Sequence, residues 1–521
     1  MALMPLHERT PTYASVTMTQ VADDAAEEYN MALMPLNIPP GVYRNGTEFQ
    51  ASNRWRDANL IRWTDGTMRP VGGWSSRATA GTTAPRALLA WRDLSGDRWF
   101  GIGFHDALKV ISASNTVSDV SPVDLVDGTL DAAENTGYGG GFYGLGDYGT
   151  ERESSSAYTE ATTWSLDNWG EYLVACSTAD GRLLEWTLNV ATPAAVIANA
   201  PTDNSGLLVT EERFLFALGA GGNPRKVQWS DRENNTSWTP AATNEAGDIE
   251  LQTSGQIMQG IRTRGQALVI TDQDAHSVTY VGGQFVYGFQ RVGSACGAVS
   301  RKSAVSIDEG VFWMGRRGFY SYAGGAVQNL PCEVSDYVFG DINASQQSKV
   351  WGVSNQQFNE IWWFYPSGGS NEVDRYAMLN YREGHWSTGS LARTAGVDLG
   401  VFRSPTWADD SGVVYQHDFG LARGGEVPFA ESGPISLGAG DQVLMATSLI
   451  PDEKTQGDVT ATFKTRFHPN DTERSYGPYA MGNPTSVRFT GRQIRMRVDG
   501  VNLADWRVGI MRLDAVPGGR R

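Results

Sequence analysis

The hydrophobic residues of this chain occur in short runs, separated by turns that are rich in glycine. The clearest case is residues 311–387, where a strand–turn–strand unit occurs twice in succession. The first unit joins residues 311–314 to 319–322, and the second joins residues 361–365 to a return strand within 373–381. Neither unit has a 3.6-residue period, and aromatic runs between glycine-rich turns are typical of an antiparallel meander. Both units are therefore predicted to be β-sheet.

Similar units recur along most of the chain, at residues 87–111, 172–186, 214–229, 267–281 and 413–415. After a longer first interval, their leading strands are about 40 to 55 residues apart. Strand-rich repeats of this length are typical of propeller blades, which stack radially and leave few exposed sheet edges. The sequence predicts an all-β fold, a β-propeller-like array of six or seven antiparallel blades, with its aromatic residues packed between neighbouring sheets.

The composition changes along the chain and predicts three parts. Residues 1–36 form an N-terminal arm, residues 37–430 form the propeller, and residues 431–521 form a small C-terminal β-domain with a basic tail. Residues 451–521 carry twelve Lys and Arg against eight Asp and Glu. Arginine alternates with apolar residues in the strand candidate 494–498, which places one face on a core and the other in water or on a partner. The candidate contact residues at this basic end are Arg495, Arg497, Arg520 and Arg521.

The arm contains a repeat, since Met1–Leu6 and Met31–Leu36 have the same six residues. The segment between the copies is acidic and has too few apolar residues to fold alone. We expect it to become ordered by packing on a partner or on a neighbouring subunit.

A glycine-rich insertion at about residues 131–160 carries the aromatic residues Tyr138, Phe142, Tyr143 and Tyr148. It contains a G-x-G-x-x-G match, but no βαβ unit surrounds the match, so the pattern does not predict a dinucleotide site. The insertion is a candidate lumen or interface loop whose rings stack on a partner. A simple long connection is the alternative.

The net charge of −16 argues against a general DNA-coating protein, because phosphate binding needs clustered Lys and Arg. Acidic groups are compatible with a passage through which nucleic acid slides without sticking. The three cysteines, Cys176, Cys296 and Cys332, have neither zinc-site spacing nor the density of a disulfide framework. No stretch has the apolar length of a membrane span, and the chain is expected to fold in a cytoplasm.

The sequence contains no G-x-S-x-G, G-x-x-x-x-G-K-[ST] or H-E-x-x-H motif, and its six histidines are scattered. It therefore predicts no enzyme activity, no catalytic residue, no metal and no cofactor. Two alternatives keep the propeller scaffold. One is a carbohydrate-binding propeller that recognises a host surface. The other is a glycosidase that uses Glu360 and Asp374, which lie close to aromatic residues in the sequence.

Several stretches resemble the tail nozzle proteins of short-tailed bacteriophages, which are also called tail hub or packaged-DNA stabilisation proteins. The resemblance covers about residues 37–521 and is carried by residues 227–231 (VQWSD) with Trp238, 268–272 (LVITD), 280–285 (YVGGQF), 318–320 (GFY), 330–334 (LPCEV), 336–339 (DYVF) and 360–366 (EIWWFYP). Residues 1–30 lie outside it.

The resemblance implies a propeller-bearing structural protein of the virion tail, made in the host bacterial cytoplasm. Such a subunit forms a homo-hexameric ring below the portal and the tail adaptor protein, retains the packaged DNA and opens for genome ejection. Its expected partners are its own copies, the adaptor above, tail fibre or needle proteins, and phage DNA that passes through the lumen without sequence-specific binding. On this basis the insertion aromatics and the C-terminal arginines are candidate lumen, subunit or adaptor contacts.

Overall fold

The computed structural model describes residues 32–134, 158–436, 443–469 and 471–517. Within these residues, 28 strands form seven four-stranded antiparallel sheets, six of which are meanders of consecutive strands. We call these sheets blades 1 to 7. The first strands of successive blades contact one another in cyclic order, and that of blade 7 contacts that of blade 1. These sheets therefore form a closed seven-bladed β-propeller, which confirms the predicted fold and decides between the six and seven blades that the repeats allow.

The blades have the following strands, given from the first to the fourth in each sheet. Blade 1 comprises Ala87–Arg92, Arg98–Gly103, Leu108–Ser112 and Val117–Asp119. Blade 2 comprises Trp164–Trp169, Tyr172–Ser177, Leu183–Trp186 and Ala195–Val196. Blade 3 comprises Gly206–Val209, Leu215–Leu218, Lys226–Trp229 and Gly247–Glu250. Blade 4 comprises Ile257–Thr263, Gln266–Thr271, Asp274–Tyr280 and Tyr287–Ser294. Blade 5 comprises Ala304–Ile307, Gly310–Met314, Phe319–Tyr322 and Gln328–Leu330. Blade 6 comprises Trp351–Asn355, Glu360–Tyr365, Arg375–Asn380 and His385–Ser390.

Blade 7 closes the ring with strands from both ends of the propeller sequence. Its first three strands are Ala395–Val397, Thr406–Ala408 and Val413–His417, and its outer strand is Trp74–Thr79. Val413 is opposite Thr79 and His417 is opposite Trp74 in this pairing. Closure by an N-terminal strand hydrogen-bonds the two ends of the ring to each other.

The remaining strands form a β-sandwich. One sheet has the order Ala32–Pro35, Arg512–Pro517, Leu444–Ile450 and Thr485–Gly491. The other has the order Trp55–Asn59, Phe429–Ser432, Gln493–Gly500, Val459–Arg466 and Arg474–Ala480, and Ile435–Ser436 also pairs with Gln493–Gly500. Burial alternates along Val459–Arg466 and Gln493–Gly500, so each strand buries one face between the two sheets.

Short elements complete the described chain. The hairpin Ile61–Thr64 and Thr67–Pro70 turns at Asp65 and Gly66, both with positive φ (51° and 74°), which is typical of an Asp-Gly hairpin turn. Ala133–Glu134 pairs with Tyr158–Thr159. The α-helix Ser335–Asp341 lies between blades 5 and 6 and was not predicted from the sequence. Short 3₁₀ helices are Glu48–Ala51, Ala220–Gly222, Gly283–Phe285, Ala344–Lys349 and Gln356–Phe358.

The propeller and the sandwich share one hydrophobic core. Phe319 of blade 5 and Trp363 and Trp386 of blade 6 belong to the same buried cluster as Phe463 and Leu513 of the two sandwich sheets. The predicted role of the aromatics, packing between neighbouring sheets, is confirmed here, since the Phe319 and Trp363 ring centroids are 4.8 Å apart.

Two N-terminal segments join the sandwich and not the parts of the chain to which the sequence analysis assigns them. Residues 55–59, which the sequence analysis places in the propeller, pair with Phe429–Ser432 in the sandwich. Residues 32–35, assigned to the arm, form an edge strand of the other sandwich sheet. The propeller strands begin at Trp74. The described C-terminal strands thus complete their sheets with N-terminal strands, a long-range pairing that local patterns do not specify.

Candidate functional site: an axial strap, a buried ion cluster and two rim surfaces

The strand order defines two faces of the propeller. Each first strand begins on what we call the upper face and ends on the lower face. Because strands alternate in direction, the connections between blades lie on the upper face. The hairpins that join third and fourth strands lie on the lower face, at the outer rim.

The connection between blades 1 and 2 crosses the axis of the propeller on the upper face. We call residues 128–134 and 158–162 the strap. Ala132 and the Gln346 side chain exchange two hydrogen bonds of 3.0 and 2.9 Å, and the Tyr158 hydroxyl donates to the Ser345 carbonyl oxygen at 2.5 Å. Gln346 and Ser345 precede blade 6, which lies on the opposite side of the ring from blade 2. The strap therefore reaches across the ring from blades 1 and 2 to the start of blade 6 on this face.

Buried charges anchor the strap. The fully buried Lys349 ammonium lies 2.5 Å from Asp131 of the strap and 3.6 Å from Glu372. Arg86 forms a bidentate pair with Glu372, with two bonds of 2.7 Å, and also donates to the Leu130 carbonyl oxygen. Burial alone would raise the pKa of Glu372, but hydrogen bonds and charge from Arg86 outweigh burial and lower it. These pairs attach the strap to blades 1 and 6.

Charged groups also lie among the first strands, around the propeller axis. Asp167 of blade 2 accepts from the Val209 backbone N–H of blade 3 at 2.9 Å and pairs with Arg262 of blade 4 at 2.8 Å. Burial raises the pKa of Asp167, and burial lowers the pKa of nearby Lys302 to about 8. The axial region thus contains a network of the chain's own charges.

A buried ion cluster joins the Ile61–Pro70 hairpin to blades 6 and 7. The Arg62 guanidinium lies 2.8 Å from Glu360 and 2.9 Å from Asp418, and the three side chains are 1 %, 2 % and 4 % exposed. Asp418 also accepts from Asn355 and from the Gly72 N–H. Arg62 is thus the cation that both carboxylates contact, and all three side chains are almost fully buried.

This cluster corrects one expectation about chemistry. Glu360 is the first residue of Glu360–Tyr365, and Asp374 follows the far end of that strand, where its carboxylate accepts from the Ser367 N–H and hydroxyl at 2.7 Å each. The strand advances by about 17 Å from Glu360 to Tyr365, so Glu360 and Asp374 lie at opposite ends of it. Glycosidase carboxyl pairs are about 5–9.5 Å apart. Glu360 and Asp374 therefore do not form such a pair.

Replacing Glu360 with glutamine is expected to flatten the pH dependence of stability. Burial raises the pKa of Glu360 from 4.5 to about 7, against the opposing effect of Arg62. The folded protein therefore holds this proton more tightly than the unfolded chain, and its contribution to stability is lost as the pH rises from 4.5 through 7. Urea unfolding between pH 5 and pH 7.5 measures the slope in the wild type and in E360Q.

Glu372→Gln is the matched control, because the pKa of Glu372 is lowered rather than raised. Its carboxylate contributes stability that is lost only as the pH falls below the ordinary value of 4.5, so E372Q should leave the slope between pH 5 and pH 7.5 unchanged. Equal slopes for wild type and E360Q would contradict the assignment of a raised pKa to Glu360.

The predicted contact residues Arg495 and Arg497 lie on one face of the second sandwich sheet. Arg495 lies 3.3 Å from Glu48 and 3.2 Å from Glu473, and also pairs with Glu431. Arg497 pairs with Asp499 at 2.8 Å and lies over the Phe429 ring at 3.7 Å. Both arginines are thus partly buried among carboxylates of this chain. Contact with another subunit or an adaptor stays a prediction.

The third-to-fourth-strand hairpin of blade 4 presents two exposed apolar side chains. Val281 is 59 % exposed and Phe285 is 79 % exposed, which makes Phe285 the most exposed aromatic residue in the described part of the chain. We call these two residues the hairpin tip. They belong to a stretch that carries the resemblance to the nozzle proteins.

A second apolar surface lies where blade 7 meets the sandwich. We call it the junction patch, and its exposed members are Phe419, Leu421, Val427, Val501, Leu503 and Ile510. Two adjoining segments carry them, because the Gly500 N–H donates to the Pro428 carbonyl oxygen at 2.9 Å. This bond continues the pairing of Phe429 with Asp499. The patch is therefore a surface of the joined propeller and sandwich.

The hairpin tip and Phe419 of the junction patch lie on the same face of the propeller, at blades 4 and 7. Phe419 follows the third strand of blade 7, whose end lies on the lower face, and the hairpin tip lies at the equivalent point of blade 4. The two surfaces differ in sequence and in shape.

Other predicted features lie outside the described residues. These are Tyr138, Phe142, Tyr143 and Tyr148 of the insertion, residues 1–30 of the arm, and Arg520 and Arg521 of the tail. Within the described residues there is no group of three or more His, Cys, Asp or Glu side chains placed to hold a metal ion. The same residues include no helix that is long and apolar enough to cross a membrane.

The fold is that of a β-propeller, and the comparisons concern this fold alone. No protein-family model matches the chain, and no curated protein sequence matches it. Among solved structures, virginiamycin B lyase from Staphylococcus aureus is 9 % identical with a TM-score of 0.42, over 65 % of this chain and 96 % of the lyase. YCF48 bound to D1 peptide is 9 % identical with a TM-score of 0.37, over 67 % and 97 %. The Pan2 WD40 domain of Neurospora crassa is 6 % identical with a TM-score of 0.39, over 68 % and 98 %.

Proposed function

We propose that this protein is a ring-forming structural subunit of the virion tail of a short-tailed bacteriophage, the tail nozzle. The observation that carries the proposal is that the subunit has two different sets of exposed apolar side chains, the hairpin tip and the junction patch. Heterologous contacts between two different surfaces generate closed rings when the rotation fits. An exposed apolar surface of this kind is typical of a protein contact.

The sequence resemblance supports the same function. Its stretches fall in blades 3 to 6 and in the helix Ser335–Asp341, and residues 280–285 include the exposed hairpin tip. The acidic composition, with a net charge of −16, suits a lumen along which DNA slides.

The strap bears on the route of the DNA in this proposal. Because the strap crosses the propeller axis, DNA would pass through the lumen that the ring of subunits encloses and not through the propeller itself. The adaptor would contact one end of this ring, and fibre or needle proteins would contact the other.

The test is electron microscopy of the purified chain, alone and with the portal and adaptor of the same phage. We expect a closed ring, with six subunits, coaxial with the portal. A stable monomer under both conditions, with no ring in images of the assembled tail, would contradict the proposal.

A further inference from the structure

We propose that residues 1–6 are a second strand for the sandwich position that residues 31–36 of the same chain fill. We call these two segments the first copy and the second copy, because their six residues are the same. The second copy forms the edge strand Ala32–Pro35, which pairs with Arg512–Pro517. We call this place the edge position. One place in the sheet thus has two equal strand sequences in the chain.

The edge position selects side chains that both copies have. Leu36 is 5 % exposed and belongs to the core that the propeller and the sandwich share, and Met34 packs against the same core. Leu33 and Pro35 alternate with them and are exposed, as expected for a strand that buries one face. The first copy has the same residue at each of these places, so it can make the same contacts.

The backbone bonds of the edge position do not depend on which copy fills it. Ala32 lies opposite Ala515 and Pro35 lies opposite Arg512. The Leu36 N–H continues the pairing, since it donates to the Met511 carbonyl oxygen at 2.8 Å. A sheet edge accepts a strand through such main-chain bonds, while the places for alternate side chains give specificity. A segment with the same residues therefore meets both requirements.

Pro35 indicates that the first copy replaces the second and does not pair beside it. The Leu36 N–H points towards the neighbouring strand, so the backbone nitrogen of Pro35, one residue earlier, faces the free edge of the sheet. Proline has no N–H to donate there, and proline on an edge strand opposes the addition of a further strand. The first copy can therefore join the sheet only at the edge position itself.

The length of the chain explains why the second copy is the one that fills the edge position. The chain that follows it is fixed, because the Val42 N–H donates to the Trp386 carbonyl oxygen at 2.7 Å. With the first copy in place, residues 7–36 become a loop of 30 residues whose two ends meet where the strand ends. Closing this loop costs conformational entropy. Because the contacts are equal, the directly connected copy is preferred and the first copy is its substitute.

The test compares four full-length chains, which are the wild type, Leu6→Asp, Leu36→Asp and the double variant L6D/L36D. Each substitution puts a charge at the inward position of one copy and prevents that copy from filling the edge position. Hydrogen exchange measured by mass spectrometry follows Arg512–Pro517 and both copies.

We expect L6D to exchange like the wild type. In L36D, residues 31–36 should lose protection and residues 1–6 should gain it. In L6D/L36D neither copy fits, so exchange of Arg512–Pro517 should be on the order of 10-fold faster than in L36D.

The matched control is Leu33→Lys in the second copy. Leu33 is 46 % exposed and lies opposite Asp514, so a positive charge is compatible with this place. L33K keeps the inward residues and should leave residues 1–6 without added protection. The pair L36A and L6A/L36A repeats the comparison with a milder loss of packing.

Two results would overturn the proposal. One is equal exchange of Arg512–Pro517 in L36D and L6D/L36D, with the same equality in the alanine pair. The other is protection of residues 1–6 that increases with protein concentration, because this would place the first copy on another chain. Neither readout needs a ring, so the outcome is independent of the proposed function.

Discussion

Replacing Arg62 with methionine is expected to lower the free energy of unfolding by about 3–5 kcal/mol, because the Asp418 carboxylate then stays buried without its cation and Glu360 has to take up a proton. Both Glu360 and Asp418 depend on this guanidinium, at 2.8 and 2.9 Å. Urea unfolding at pH 7 measures the loss.

The control for this substitution is Arg69→Met on the same hairpin. Arg69 pairs with Asp505, and the two side chains are 21 % and 43 % exposed, so the pair contributes less than about 1 kcal/mol. The triple variant R62M/E360Q/D418N removes the stranded charges and should recover part of the stability. If R62M and R69M lower the free energy of unfolding equally, the buried cluster does not stabilise the fold more than the exposed pair does.

Replacing Trp386 with alanine is expected to cost about 3–5 kcal/mol through lost packing and the cavity it leaves. The side chain is fully buried, its indole N–H donates to the Pro331 carbonyl oxygen at 2.9 Å, and its ring lies 4.6 Å from that of Phe319. The Trp386 carbonyl oxygen also accepts from the Val42 N–H, in the segment between two sandwich strands.

Because this core is shared, the propeller and the sandwich should lose stability together in W386A. Far-ultraviolet circular dichroism follows the unfolding of the whole chain. Hydrogen exchange of the sandwich strands follows the sandwich alone. W386F keeps most of the ring volume and should show a smaller loss. Unchanged exchange protection in Val459–Arg466 would contradict the shared core.

Most of the propeller could be predicted because each blade contains its own signal. The run of apolar residues in Glu360–Tyr365 lies between turns, and its antiparallel partners, Trp351–Asn355 and Arg375–Asn380, are the strands just before and after it in the chain. The Asp65-Gly66 turn is equally local. Such short-range patterns specify strands and hairpins whatever the rest of the chain does.

The closure of the ring could not be predicted in the same way. Trp74–Thr79 has no clear alternation of buried and exposed residues, and its partner strand is Val413–His417. Trp55–Asn59 likewise carries charged residues between apolar ones, as several blade strands do. The partner in space, and not the local pattern, decides which sheet such a strand joins.

The candidate site was less accessible from the sequence than the fold. Arg62 lies beside a tryptophan in an ordinary strand pattern, and the carboxylates that bury it are 298 and 356 residues away in sequence. Phe285 and Leu503 are apolar residues like those of the core, and only the fold shows that they are exposed. The quoted stretch 280–285 did include the hairpin tip, but as part of a resemblance and without a role.

The outer strand of blade 7 has a consequence for synthesis of the protein. The Gly72 N–H, just before that strand, bonds to Asp418, which is 346 residues further along the chain. At 5–20 residues per second, a ribosome needs roughly 17–70 s to make that interval. During this time Trp74–Thr79 has left the ribosome without its partner strand, while the hairpins of blades 1 to 6 can already form. The propeller therefore closes only late in translation, and chaperones that shield strand edges are expected to act on the nascent chain in that interval.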